Sequence, residues 1–144
     1  AIDHVLVSEA DLKQAWWAVT TGNNGAYIRS LFDVEGIRFE TIHDTTWLAD
    51  DLGLFIQASH TPGVIGLILK TEHHGTILTT SDAIYTADSY RQALPPGGTI
   101  NATTDEFYDN LERIKAMEKN YNATLLFGHD AAQVQAWAGK GTLD

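Results

Sequence analysis

A chain of 144 residues that is 44% hydrophobic can bury a core of its own, which excludes a disordered tail and predicts one domain or most of one. Its 19 acidic against 9 basic residues give a net charge of -10, which repels phosphate backbones and anionic lipid and argues against nucleic-acid and membrane partners. With no cysteine, disulfides, thiolate nucleophiles and zinc–thiolate sites are excluded, leaving His and carboxylate as strong ligands in what reads as a reducing, cytoplasmic setting.

Ala1 begins the chain with no initiator Met and no basic-then-apolar leader, which predicts a start after processing or inside something longer. Ile2 to Val7 is an apolar run that reads as a strand. Ser8 then offers an N-cap, with Asp11 three residues on, to a helix through about Val19 in which Leu12, Trp16 and Val19 recur at helical spacing. The Gly22-Asn23-Asn24-Gly25 cluster separates it from a second helical piece around Ala26 to Phe32. Beyond Gly36, the runs Ile37 to His43, Leu52 to Ala58, Val64 to Lys70 and Thr76 to Thr80 predict a meander of strands, with a hairpin turn at Glu72-His73-His74-Gly75. Tyr85 to Leu94 is weakly helical and ends at Pro95-Pro96-Gly97-Gly98. Thr103 and Glu106 suggest a capping box opening a helix with Phe107, Leu111, Ile114 and Met117 on one face. A buried strand, Ala123 to Phe127, a loop at Gly128-His129-Asp130 and a short helix, Ala131 to Ala138, complete a layered arrangement of strands and helices.

Three segments place a metal-ligating side chain at a strand end: Ser59-His60-Thr61-Pro62-Gly63, Thr80-Ser81-Asp82-Ala83-Ile84-Tyr85 and Phe127-Gly128-His129-Asp130. A sheet delivers side chains to one edge in this way while its backbone stays paired. Two imidazoles and a carboxylate suit a borderline divalent ion. Taken singly, each His reads more readily as a hydrogen-bonded structural residue than as a ligand, and Asp82 equally as a cap or turn former.

As a set in this order, His-Thr-Pro-Gly, then Leu-Thr-Thr-Ser-Asp-Ala-Ile-Tyr-Thr, then Leu-Phe-Gly-His-Asp resembles the second half of the N-acyl-homoserine lactonases of the metallo-β-lactamase superfamily, over at least Phe55 to Asp130. The resemblance implies an α+β fold, the αββα four-layer metallo-β-lactamase sandwich, of which residues 1–144 supply the C-terminal portion. It implies His60, Asp82 and His129 as metal ligands, with Asp82 bridging two divalent ions, zinc first, with Mn, Fe or Co also accepted. Tyr85 stands three residues after Asp82, where lactonases carry a tyrosine that contacts the substrate carbonyl. The implied reaction is opening of a lactone by a hydroxide shared between the metals, a quorum-quenching activity, with Asp82 and Tyr85 as its catalytic residues.

Two features depart from that pattern. Val64 stands where the family usually has the second His of its Pro-Gly-His segment, and the His-x-His-x-Asp-His motif that supplies the other four ligands occurs nowhere in the sequence. The expected partners are therefore a second polypeptide bearing the N-terminal half, a small lactone, and a second copy of the completed unit. Trp16, Trp17, Tyr27, Phe32 and Trp47 either line an acyl pocket, with Trp16, Trp17 and Phe32 as substrate contacts, or pack as ordinary core. The alternative functions are a thioesterase or an amide or lactam hydrolase of the same fold, and a non-catalytic binding module. His73 and His74 read as a solvated pair, His4 and His43 as lacking a partner motif, and the Asn101 and Asn122 sequons as chance matches.

Overall fold

Val5, Leu6 and Val7 favour extended backbone, and they form the middle of β1 (His4–Ser8). Ser8 then turns the chain into α1 (Glu9–Thr21): its side chain accepts from the Asp11 amide at 3.4 Å, and Gly22, at φ 77°, closes the helix in the left-handed conformation. The computed structural model describes residues 4–23, 25, 27–97 and 104–138, so Ile2, Asn24, Ala26, Gly98, the Asn101 sequon and the Thr103 half of the capping box lie outside the described residues. The second helical piece is only α2 (Arg29–Phe32), shorter than expected, because Ile28 is extended and caps nothing through a side chain.

The meander begins later than its sequence suggests. Arg38–Ile42, here β2, does not join the antiparallel strands; it pairs parallel to β1, with His4 opposite Arg38 and Ser8 opposite Ile42, in a separate two-stranded sheet. Parallel neighbours need a crossover between them, and α1 with α2 supplies it. The meander proper is β3 (Thr46–Ala49), β4 (Leu52–Gln57), β5 (Val64–Thr71) and β6 (Gly75–Ser81), with β7 (Thr124–Phe127) added parallel to β6. β3 was not foreseen: it is a four-residue edge strand with a register irregularity at Trp47 to Ala49 and a mostly exposed sequence. Its Trp47 lies over Gly53, and the Lys70 ammonium sits 4.5 Å above the indole.

The core lies between this sheet and α4 (Thr104–Tyr121). Phe107, Leu111 and Ile114, one face of the helix at steps of three and four, are buried against Phe55, Ile68, Leu78 and Leu125. Ile84 closes the same cluster, with Tyr90 and Met117 at its margin. α3 (Ala87–Gln92) is narrower than the Tyr85 to Leu94 region because Thr86 is an extended N-cap that accepts from the Ser89 amide at 3.1 Å, which leaves Tyr85 outside the helix. Tyr90 donates to Glu118 at 2.5 Å, joining α3 to α4; burial first, then that carboxylate, raises the phenol above its ordinary pKa.

The outer edge of β7 is covered by α5 (Ala131–Trp137), whose Gln133 side chain takes the Phe127 amide at 2.9 Å and donates to the Leu125 carbonyl at 2.7 Å. Among the described residues no helix is long and apolar enough to cross a membrane.

Candidate metal and substrate site

Strand direction decides which side chains meet. β4 and β6 run the same way because β5 runs between them antiparallel, and β7 is parallel to β6, so all three end at one edge of the sheet. His60 follows β4 in the loop to β5, Asp82 follows β6, and His129 follows β7.

Buried polar contacts hold these ends together. Ser59, 1% exposed, donates to the Ala83 carbonyl at 3.0 Å, and Thr80, fully buried, donates to the Ile84 carbonyl at 2.8 Å and the Leu126 carbonyl at 3.3 Å. Polar groups so deep are costly unless paired, and here their pairing ties the His60 loop to the Asp82 segment and β6 to β7. Ser81 takes φ 46°, rare for a residue with a side chain, and turns the chain out of the strand just before Asp82. The Gly128 backbone lies directly against the Ser81 carbonyl group, where a Cβ would collide. The His129 amide then donates to the Tyr85 carbonyl at 2.9 Å.

The four expected positions are neighbours in the fold. His129 Nε2 and Asp82 Oδ1 are 2.8 Å apart, the Tyr85 ring centre is 4.5 Å from that of His129, and the Tyr85 hydroxyl is 3.3 Å from His60 Nδ1. The same hydroxyl reaches the Gly97 carbonyl at 3.5 Å. His60 and Asp82 share the wall of an open cleft of about 360 Å³ with Leu6, Asp11 and Ile65. His129 instead lines a cleft of about 410 Å³ with Arg91 and Asp130.

The donors are of the kind a borderline divalent ion takes, yet they are arranged as a His129–Asp82 pair and a His60–Tyr85 pair. Among the described residues no group of three His, Asp or Glu side chains is placed to hold a metal ion. The set fits a metal in chemistry and falls short in number, so further donors are required from outside it.

Two aspartates matter more than the sequence suggests. Asp130 caps α5 through the Gln133 amide at 3.0 Å and takes the Ala87 amide at 2.9 Å, so one carboxylate anchors the starts of both α3 and α5 beside His129. The Ala87 and Gln133 hydrogen bonds hold it below the usual carboxylate range. Asp11 accepts from the Thr61 hydroxyl at 2.8 Å and the Gly63 amide at 3.2 Å, and burial pushes it up. Burial, then the Asp11 charge, pushes the Tyr27 phenol up to about 12. The sequence signal was present for both, an Asp three residues after a helix-capping Ser and an Asp immediately before a helix, but it speaks of helix ends rather than of the loops they grip.

The aromatic set divides. Trp16 packs edge-on against Phe32 with ring centres 5.2 Å apart and the Arg29 guanidinium 5.4 Å from the indole centre, while Trp17 is 51% exposed. None of these three lines the cleft at His60 and Asp82. Val64 is buried at the first position of β5 opposite Gln57, which suits an apolar residue. His74 is not simply solvated, since its ring lies 5.7 Å from that of Trp137. His4 pairs with Glu40 and His43 with Glu9, each at 3.0 Å.

No known family profile matches the chain. Over 123 residues it is 28% identical to the N-acyl homoserine lactonase AttM of Rhizobium radiobacter, a match covering 79% of this chain and 44% of AttM. The chain thus spans less than half the length of that relative. Among solved structures it superposes with a TM-score of 0.78 on an N-acyl homoserine lactone hydrolase holding N-hexanoyl-L-homoserine at its catalytic metal centre; the match is 20% identical and covers 92% of this chain and 49% of that one. AidC, a dizinc quorum-quenching lactonase in complex with its product, superposes at 0.58 with 12% identity, over 88% of this chain and 47% of AidC. The chain therefore has the α+β, metallo-β-lactamase-like architecture of about half of such a hydrolase, and the curated relatives it matches are named N-acyl homoserine lactonases.

Proposed function

We propose that this chain, similar to N-acyl homoserine lactonases along most of its length, forms one half of a metal-dependent lactone hydrolase. The observation that carries the reading is convergence: Asp82 meets His129, and Tyr85 touches both His129 and His60, although the three segments are far apart in sequence. His60, Asp82 and His129 would hold two divalent ions, zinc first, together with donors from the His-x-His-x-Asp-His motif that this sequence lacks. Bound metals would supply a water acidic enough to ionise at a pH of about 7.

The chain's own residues do the rest. Among the described residues the Tyr85 hydroxyl has only long contacts, 3.3 Å to His60 and 3.5 Å to Gly97, so a substrate carbonyl can displace them and accept its proton in a hydrogen bond. That donor stabilises charge developing on the carbonyl oxygen as the ester is attacked. Asp82, half exposed and already paired with His129, would relay a proton to the departing alkoxide. The acyl chain would lie along apolar walls such as Leu6 and Ile65 in the cleft.

The test is lactone opening by the complete protein with zinc, followed by titration of released acid, with His60→Ala, Asp82→Ala and His129→Ala beside it. Each substitution should lower activity at least about 100-fold and reduce bound zinc. Full activity in the Asp82→Ala protein would sink the proposal. Preferential cleavage of thioesters or lactams would move it to another hydrolase of the same fold. A complete protein that binds no metal and opens no lactone would leave a binding module.

A further inference from the structure

The loop that carries His60 is gripped from outside the five-stranded sheet, by the first turn of α1. Asp11 Oδ2 accepts from Thr61 Oγ1 at 2.8 Å and Asp11 Oδ1 from the Gly63 amide at 3.2 Å, so one carboxylate spans the loop just after the imidazole. α1 comes this close because Gly63 has no side chain: a Cβ there would overlap Ser8 and stand 3.2 Å from the Asp11 amide nitrogen. Ser8 in turn caps α1 through that same Asp11 amide, which fixes where the carboxylate points. On its other flank the loop is closed by the Ser59 amide on the Thr61 carbonyl at 3.0 Å and by Ser59 Oγ on Ala83. His60 and Thr61 of this braced turn both line the cleft shared with Asp82, but the Thr61 hydroxyl is taken up by Asp11.

We propose that Asp11 is a positioning residue for His60, holding the His60-Thr61-Pro62-Gly63 turn so that the imidazole is aimed before any metal arrives. This rests on the reading of His60 as a ligand given above. Asp11 is not itself a donor to the metal in this scheme; its two oxygens are occupied by the loop. A ligand whose direction is set in advance loses less freedom on binding, and removing such an outer partner weakens metal affinity by about 10–100-fold.

The experiment measures zinc affinity of the complete protein by competition with a chromophoric chelator, alongside the melting temperature of the zinc-stripped protein. Asp11→Ala should weaken zinc binding about 10–100-fold. Thr61→Val, which keeps shape and charge but removes one donor, should fall between it and the parent. Asp11→Asn should recover part of the loss, since its amide oxygen can still accept from one of the two partners. His60→Ala is the reference. If His60→Ala weakens zinc binding while Asp11→Ala and Thr61→Val bind as tightly as the parent, Asp11 has no positioning role although His60 stays a ligand. A lower melting temperature in Asp11→Ala with parental zinc affinity overturns the inference in the same way. If His60→Ala itself changes nothing, the ligand reading of His60 falls and the role of Asp11 falls with it. Should Asp11→Ala fail to fold, Thr61→Val and Asp11→Asn decide.

Discussion

Gly128→Ala is the sharpest probe of how the sheet edge builds the site. An added Cβ would collide with the Ser81 carbonyl oxygen and stand 2.7 Å from its carbon, where an ordinary contact needs about 3.5 Å or more. Ser81 and Gly128 must then separate by about 1 Å, and Ser81 is held by its pairing opposite Phe127, the residue just before Gly128, and is already at a positive φ. Overpacking of this kind costs about 1–3 kcal/mol. That corresponds to a fall in melting temperature of roughly 2–12 °C for a protein of this size class. Because Asp82 follows Ser81 and His129 follows Gly128, the same displacement opens the 2.8 Å Asp82–His129 pair. A 1 Å misplacement of reacting groups lowers rate by about 100-fold, so the lactone opening proposed above for the complete protein should fall by that order even where the variant stays folded. The assay is thermal unfolding monitored by circular dichroism together with kcat/KM. A variant with parental melting temperature and parental activity would refute the claim that this contact sets the spacing of the two side chains.

Other outcomes follow from single contacts. Ile114→Ala empties a fully buried position between α4 and the sheet and should cost about 2–5 kcal/mol in urea unfolding with little change in the m value. Tyr90→Phe removes the 2.5 Å hydrogen bond to Glu118 and should cost about 1 kcal/mol, read from the same denaturation curve. Asp130 has its folded pKa lowered, so its contribution is present above the unfolded carboxylate value of about 4 and is lost as pH falls through the lower folded value. Asp130→Asn should therefore be less stable than the parent at neutral pH, and the gap should close as the pH falls below the ordinary carboxylate range, measured by melting temperature against pH.

Much of the local structure is written in neighbouring residues. The Ser8 cap, the Leu111 and Ile114 stripe, the three longer strands of the meander and the Gly128-His129-Asp130 loop all rest on interactions within a few positions of sequence. β3 escaped because a four-residue exposed edge strand has no buried face to impose alternation. β2 reads as part of the meander yet pairs with β1, because periodicity tells that a segment is a strand and not which strand lies beside it. The resemblance names His60, Asp82, Tyr85 and His129, but Asp11 reads only as a helix-start residue and Asp130 only as part of a loop.

By itself, the sequence determined the donor types, their order and the strand endings that bear them, since those follow from residue chemistry and short-range backbone preference. Only the tertiary structure decided that β4, β6 and β7 end at one edge, that Tyr85 lies between two imidazoles, and that α1 braces the His60 loop. Those are contacts between segments tens of residues apart, created when apolar faces are buried together, and no local pattern encodes the partner that each segment meets.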